Sequence, residues 1–403
     1  MRISPSPLRN KIAQKYGTEW RINMDFTRMK EMMDREAGKL FPGLDMRIYQ
    51  KGKEVFRYQA GYDDIEKKTS VNPKALYYLF SCSKPITCTA AMQLYEKGYF
   101  VMEEPVSKYL PEFKEMCLLR FKPNGEADVV KAQNPITIKQ LFTMTSGIDY
   151  NLDTWAIREV KERTGGKCPT KDIVEAIALN PLTFEPGTHY RYGLNHDVLG
   201  RLIEVLTGMS FGEYLQENIF KPCGMKHTGF RVTPEIKAQM PVKYLRNVQT
   251  DVFEKGENIC EYRMGEESEY ESGGAGLVSC VDDYILFAAA MANKGMTLGG
   301  DRILSERTVD VMRTNALTPV QLADYSKYAE GYGYGFGVRT FLDSGIQGRM
   351  SNPGEFGWDG AAGCFVLIDP KEELALFCAQ NVRNPFNALI QGRITSVLYS
   401  TIH

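Results

Sequence analysis

The chain has 403 residues, 43% of them hydrophobic and 25% charged, with a formal net charge of -1 at neutral pH. That length supports a large core divided into two lobes. The near-zero charge gives no electrostatic case for nucleic acid or an anionic membrane as partner, and no apolar run approaches the length that spans a bilayer.

The N-terminus, Met1-Arg2-Ile3-Ser4-Pro5-Ser6-Pro7, has no apolar stretch before Lys11 and Lys15 and does not read as a secretory signal. The nine cysteines are scattered, odd in number and contain no Cys-x-x-Cys, which speaks against a disulfide framework or a zinc site. Together these features place the chain in a reduced, cytoplasmic setting with no metal. Residues 23–40 carry an apolar stripe of Phe26, Met29, Met33 and Leu40 and predict an amphipathic helix. Leu44 to Tyr49 and Val55 to Ala60 predict two strands joined at Gln50-Lys51-Gly52-Lys53 as a hairpin. A strand-like run, Leu76 to Phe80, leads into Ser81 and a helical run from Pro85 to Lys97.

Residues 106 to about 255 change character. Helical patterns over Ile138–Thr145, Lys171–Ala178, Asp197–Leu206 and Phe211–Ile219 are punctuated by Pro and Gly. From Gly273 the first pattern returns. Val281–Lys294 predicts a helix begun by Asp282 or Asp283. Gly331–Arg339, Gly354–Gly360, Gly363–Ile368 and Leu374–Gln380 predict antiparallel strands, and Asn387–Ile402 a closing helix. The expected architecture is an α/β lobe made from residues 1–105 and 256–403, an antiparallel sheet flanked by N- and C-terminal helices. A mostly helical domain, 106–255, is inserted into it. A cleft between such lobes favours a small-molecule site.

Three segments carry chemistry. Ser81-Cys82-Ser83-Lys84 is the only Ser-x-x-Lys in the chain. On a helix, positions i and i+3 share a face, so Lys84 lies beside the Ser81 hydroxyl. A serine is a poor nucleophile until a base takes its proton, and a buried lysine can do so; the alternative is a serine cap with a solvated lysine. The loop Pro186-Gly187-Thr188-His189-Tyr190-Arg191-Tyr192 ends at a helix entrance, where Tyr192 either acts as a proton carrier in a cleft or seals the loop as a half-buried aromatic. In Phe356-Gly357-Trp358-Asp359-Gly360-Ala361, glycine marks a close approach by ligand or backbone; a backbone N–H there completes an oxyanion hole, or the segment is a bulge with a packed tryptophan.

Ser-x-x-Lys, a Pro-Gly-x(4)-Tyr loop and a Trp-x-Gly strand, in this order, resemble the serine β-lactamase and penicillin-binding-protein superfamily. Within it the chain is most similar to class C β-lactamase-like proteins and family VIII carboxylesterases. Leu141-Phe142-Thr143-Met144-Thr145-Ser146-Gly147 and Ser272-Gly273-Gly274-Ala275-Gly276 fit the same pattern. The resemblance runs from about residue 24 to 400. It implies a β-lactamase/transpeptidase-like fold, Ser81 as acylated nucleophile, Lys84 and Tyr192 sharing the proton work, and the N–H groups of Ser81 and Ala361 as oxyanion hole. Trp358, Asp359 and Gly360 would line the strand side of the cleft. Two departures separate the chain from β-lactamases. Leu194 stands where Tyr-x-Asn has its asparagine, which puts it at the substrate, and Trp358-Asp359-Gly360 replaces Lys-Thr-Gly. Both losses resemble the esterase branch. Arg163-Thr164-Gly165 mimics the third motif but precedes Tyr192 and reads as a surface turn.

The expected activity is hydrolysis of a small-molecule ester through an acyl-serine, without cofactor. Acyl transfer through the same acyl-enzyme is the alternative, and β-lactamase or D,D-peptidase action ranks below both. Tyr150 and Trp155, in the insert, are candidates for contact with an apolar acyl or alcohol group. His189 and His196 flank the Tyr192 loop and are expected to be structural or rim residues. A Ser-His-Asp hydrolase is disfavoured because no Gly-x-Ser-x-Gly elbow exists.

Overall fold

The computed structural model describes residues 24–122, 124–256 and 267–402. The N-terminal segment read above for a missing signal lies outside them, as does Cys260. Eight cysteines are described, all of them free. Among the described residues no helix is long and apolar enough to cross a membrane.

The sheet begins with a hairpin. Lys51 and Gly52 both take positive φ (+51° and +71°), the two-residue turn whose twist matches the flanking strands, and they join Gly43–Gln50 to Lys53–Asp64. Eight strands assemble in the order 332–334, 339–341, 356–359, 365–369, 374–379, 43–50, 53–64 and 69–70. Every neighbouring pair is antiparallel. The two ends of the chain therefore meet in the sheet, Gly43–Gln50 pairing with Leu374–Ala379.

Both faces of Leu374–Ala379 are covered, which is why that strand is apolar throughout, whereas Gly43–Gln50 alternates, with Asp45 and Arg47 between Leu44, Met46 and Ile48. The period-2 geometry still sorts their side chains. Leu44, Met46, Leu374 and Leu376 pack against the helices Thr27–Glu36 and Asn387–Tyr399. Ala375, Phe377 and Ala379 turn the other way, into the large core that includes the helix Val281–Ala292. That same core runs on through Ser83–Glu96, buried from Ser83 to Leu94, to the helices Ile138–Thr143, Thr170–Ala178 and Asn195–Thr207. A helix buried all round is a central helix, and Ser83–Glu96 connects sheet and insert.

Several expectations need correction. The single strand over Gly331–Arg339 is a hairpin, Tyr332–Tyr334 with Arg339–Phe341, because Gly337 (φ +80°) turns the chain. Val281–Ala292 is capped by Cys280, and Asp282 and Asp283 lie in its first turn, where carboxylates favour the helix dipole. The region read as helical also holds a hairpin, Cys117–Phe121 with Ala127–Lys131. Its tail, Tyr244–Arg246, pairs in parallel with Val382–Arg383.

One contact ties the sheet-facing helix to the turn that carries Ser81. The Tyr284 ring stacks on Phe377 with centroids 4.2 Å apart, and its O–H donates to the Cys82 carbonyl at 2.7 Å. Tyr284→Phe strands that buried carbonyl, and the expected loss is about 1–3 kcal/mol of unfolding free energy, read from urea titration. A loss indistinguishable from zero would mean that the Ser81 turn is held elsewhere.

Candidate active site

The segment before Ser81 is clamped. Tyr77–Tyr78 pairs with Val278–Ser279, and the Leu79 N–H donates to the Leu277 carbonyl at 2.9 Å. Phe80 then adopts φ +46°, a left-handed conformation that costs a non-glycine residue about 1–3 kcal/mol and persists only where the surroundings impose it. Phe80–Cys82 forms a tight 3-10 turn that runs into the Ser83–Glu96 helix. Ser81 is 8% exposed, at the wall of a cavity of about 580 Å³.

Lys84 has no exposed surface. Its Nζ donates to the Gly274 carbonyl at 2.6 Å and lies 3.3 Å from Ser81 Oγ. The ammonium position is 4.6 Å from the centroid of the Tyr192 ring, a cation–π distance. Tyr192 donates its O–H to Ser81 Oγ at 2.5 Å. Three side chains distant in sequence thus meet at one hydroxyl.

The Tyr192 loop is held by its backbone. Arg191 N–H donates to the Met144 carbonyl at 3.0 Å and Leu194 N–H to the Asp149 carbonyl at 3.3 Å. Gly193 has no room for a side chain, since a β-carbon there would lie 1.9 Å from the Ile148 carbonyl oxygen. The ring is sandwiched between Tyr150 (centroids 5.5 Å apart, planes at 8°) and Trp358 (5.7 Å, 17°). Burial pushes the Tyr192 phenol well above its ordinary pKa; the neighbouring Tyr150 adds to this, and the bond to Ser81 opposes it. The phenol is therefore neutral near pH 7 and is a donor to Ser81.

The third motif closes the site from the sheet. Gly360 lies so near the Ser81 turn that a β-carbon would stand 2.3 Å from the Leu79 carbonyl oxygen. Its own N–H is taken by Cys364 O at 2.7 Å. Ala361, next in the chain, is exposed at the cavity wall with Ser81, Trp358 and Asp359. Asp359 accepts from Asn387 Nδ2 at 2.9 Å. Burial raises the pKa of its carboxyl, opposed by the charge of Arg339 and by the Asn387 bond.

Not every expected contact lies at the cavity. Leu194 is 1% exposed and packs in the core at the start of the Asn195–Thr207 helix, because the loop spends its turn presenting Tyr192 and, past Gly193, the chain points inward. Trp155 opens the helix Trp155–Arg163 with 59% of its surface exposed and does not line the cavity. Tyr150 backs Tyr192 rather than facing the opening. Arg163 pairs with Asp172 at 3.0 Å on the exterior. The rest of the cavity wall includes Tyr190, Tyr325, Tyr332, Glu330, Arg339 and Arg349. These residues carried no motif, and only the crowding of tyrosines between 325 and 334 hinted at an aromatic wall.

Neither histidine of the loop is placed for proton transfer. His189 bonds Asp324 at the rim, Nδ1 to Oδ2 at 2.8 Å. His196 is fully buried, with Nε2 3.3 Å from the Phe142 carbonyl and 3.5 Å from the Cys88 thiol. Burial first, then the charge of Lys84, lowers the imidazole pKa to about 3.

With this geometry in hand, comparison with known proteins is decisive. The family model described as Beta-lactamase matches residues 28–395. The chain belongs to the β-lactamase family. Among its relatives, Protein Rv1367c of Mycobacterium tuberculosis is 27% identical over 354 residues, covering 85% of this chain and 86% of the relative. Esterase EstB of Burkholderia gladioli is 26% identical over 358 residues, covering 83% and 84%. The solved structure of EstCE1, described as a hydrolase with promiscuous acyltransferase activity, superposes with a TM-score of 0.77 at 22% identity, covering 94% of this chain and 99% of its own. That likeness places this β-lactamase-family chain in the same fold.

Because His196 is held neutral to about pH 3, whereas a free histidine titrates near 6.5, the unfolded chain binds the extra proton between those values. The stabilisation is complete above about pH 6.5 and is lost as pH falls toward 3, by up to about 1.4 kcal/mol per pH unit. Urea unfolding at a series of pH values should show a shallower acid slope for His196→Gln than for the wild type; equal slopes would refute it.

Proposed function

We propose that the chain is a serine hydrolase of carboxylesterase type, cleaving a small-molecule ester through an acyl-Ser81 intermediate. The observation that carries this reading is the convergence of Tyr192 O–H and Lys84 Nζ on Ser81 Oγ at the wall of an aromatic cavity. We also propose that the division of labour follows the chain: the parts before 106 and after 255 supply Ser81, Lys84 and the oxyanion strand, and the insert supplies Tyr192.

With Tyr192 donating to Oγ, the proton of Ser81 itself is directed to the neutral amine of Lys84. Oγ attacks the ester carbonyl carbon and the proton passes to Nζ. The resulting oxyanion is held by the backbone N–H groups of Ser81 and Ala361. Collapse breaks the bond to the alkoxy oxygen, which takes the phenolic proton of Tyr192, and Lys84 returns a proton to the phenolate. Water then attacks the acyl carbon by the same route and gives a proton to the network; collapse breaks the bond to Ser81 Oγ, which takes that proton back, and the acid leaves. Trp358 and Asp359 would contact the substrate from the strand side.

Acyl transfer to an alcohol is the second reading. The wall of Tyr190, Tyr325, Tyr332 and Trp358 offers an apolar seat for an acceptor other than water, and EstCE1 is described with both activities. β-Lactam hydrolysis ranks lower: the Trp358 ring occupies the face of Tyr192 where a lysine would stand, and Asp359 adds a carboxyl where a β-lactam carboxylate would bind.

The test is turnover of p-nitrophenyl esters of graded chain length, with nitrocefin alongside. Ser81→Ala should reduce ester turnover at least about 1,000-fold with unchanged thermal stability, and Tyr192→Phe should reduce it about 100- to 10,000-fold. Retention of full turnover by Ser81→Ala would refute the assignment. Added alcohols that divert the product from acid to ester would establish the second reading.

A further inference from the structure

Behind Lys84, on the side away from the cavity, lies a carboxyl that the mechanism above does not use. Asp197 sits in the first turn of the Asn195–Thr207 helix with no exposed surface. Its Oδ1 accepts from Tyr270 O–H at 2.6 Å and Ser272 Oγ at 2.5 Å. Its Oδ2 is buried and has no hydrogen-bond partner. A carboxylate oxygen left without a donor in the interior is costly, so its placement calls for a reason.

Gly274 shows what Oδ2 faces. A β-carbon on Gly274 would stand 2.6 Å from Asp197 Oδ2 and 3.4 Å from Lys84 Nζ. Carboxyl and amine thus border the same space left by the missing side chain, while the Gly274 carbonyl accepts from that same Nζ at 2.6 Å. Two donors on Oδ1 hold the carboxyl in place and leave the bare Oδ2 beside Gly274, whose other neighbour is Lys84 Nζ.

We propose that Asp197 is a positioning residue that sets, through its charge, the proton affinity of the Lys84–Ser81–Tyr192 network. The proposal rests on the reading of Ser81 as nucleophile. The other groups around Lys84 differ in kind. Tyr192 and Tyr150 present ring faces. On its own helix Cys88 is a buried thiol, kept protonated by burial, and His196 is a neutral imidazole. Tyr270 and Ser272 reach Asp197 instead, and Asp359 lies on the strand side, by Asn387. Asp197 is the carboxylate that bears on the amine from behind.

The sign follows from Coulomb's law. A nearby negative charge stabilises the protonated amine and opposes a phenolate, so it raises the pH at which the network gives up the proton that must leave before Ser81 can react. Removing the charge lowers that pH. The experiment is the rate of Ser81 labelling by a fluorophosphonate probe as a function of pH, for the wild type and Asp197→Asn. The acid limb should move to lower pH by about one to two units in the variant. A merely structural role would lower the rate or the melting temperature without moving the limb, and an unmoved limb overturns the proposal.

Should Asp197→Asn fail to fold, Tyr270→Phe keeps the charge and removes one of its two donors. The less compensated carboxylate then pulls harder on the amine, and the limb should move to higher pH; a limb that stays or falls overturns the proposal. Absence of labelling of the wild type at every pH would remove Ser81 as nucleophile, and this inference with it. Labelling with coincident limbs would remove this inference alone.

Discussion

Everything at the centre of this molecule is arranged around an amine kept out of water. A lysine side chain with no exposed surface loses its hydration, which costs several kcal/mol unless other groups replace it. Here the replacements come from four separate parts of the chain: the Gly274 carbonyl, the Ser81 hydroxyl, the ring faces of Tyr150 and Tyr192, and the carboxyl of Asp197 across the gap at Gly274. None is available unless the sheet, the Ser83–Glu96 helix and the insert are all in place. The amine therefore reports the whole fold, and the fold holds it close to the Ser81 hydroxyl.

The tyrosine stack solves a second problem with the same economy. Tyr192 must place a phenolic oxygen within 2.5 Å of Ser81 Oγ, although it sits on a loop. Rings packed nearly parallel on both sides restrict its motion to its own plane, and the loop backbone fixes the rest. In this chain Trp358 stands where the Lys-Thr-Gly pattern has its lysine, and its ring packs on Tyr192. The exchange also leaves Asp359 with only partial compensation from Arg339 and Asn387, so the strand side of the cavity is unlike one built for an anionic ring.

Much of this was legible in the sequence, and what was not has identifiable causes. The i to i+3 spacing of Ser81 and Lys84 and the glycines that permit close approach are local signals, readable without coordinates. The boundaries of the Thr170–Ala178 and Asn195–Thr207 helices fell close to their apolar periodicity for the same reason. The strand expected over Gly331–Arg339 failed because the turn at Gly337 sits inside an otherwise strand-like run. Leu194 and Trp155 were misplaced because the direction of a side chain beside a loop is set by tertiary packing. Asp197 was invisible as a functional group: an Asp in the first turn of a helix is ordinary, and only the bare oxygen facing Gly274 distinguishes it.

The pairing of Gly43–Gln50 with Leu374–Ala379 has a consequence for biogenesis. The strand beside the first hairpin is made more than 300 residues later, so the hairpin emerges first and waits for its partner. Such long-range closure slows folding and leaves unpaired strand edges exposed in the meantime. Until that strand has been made, the edge of Gly43–Gln50 has to be shielded by something other than its native partner.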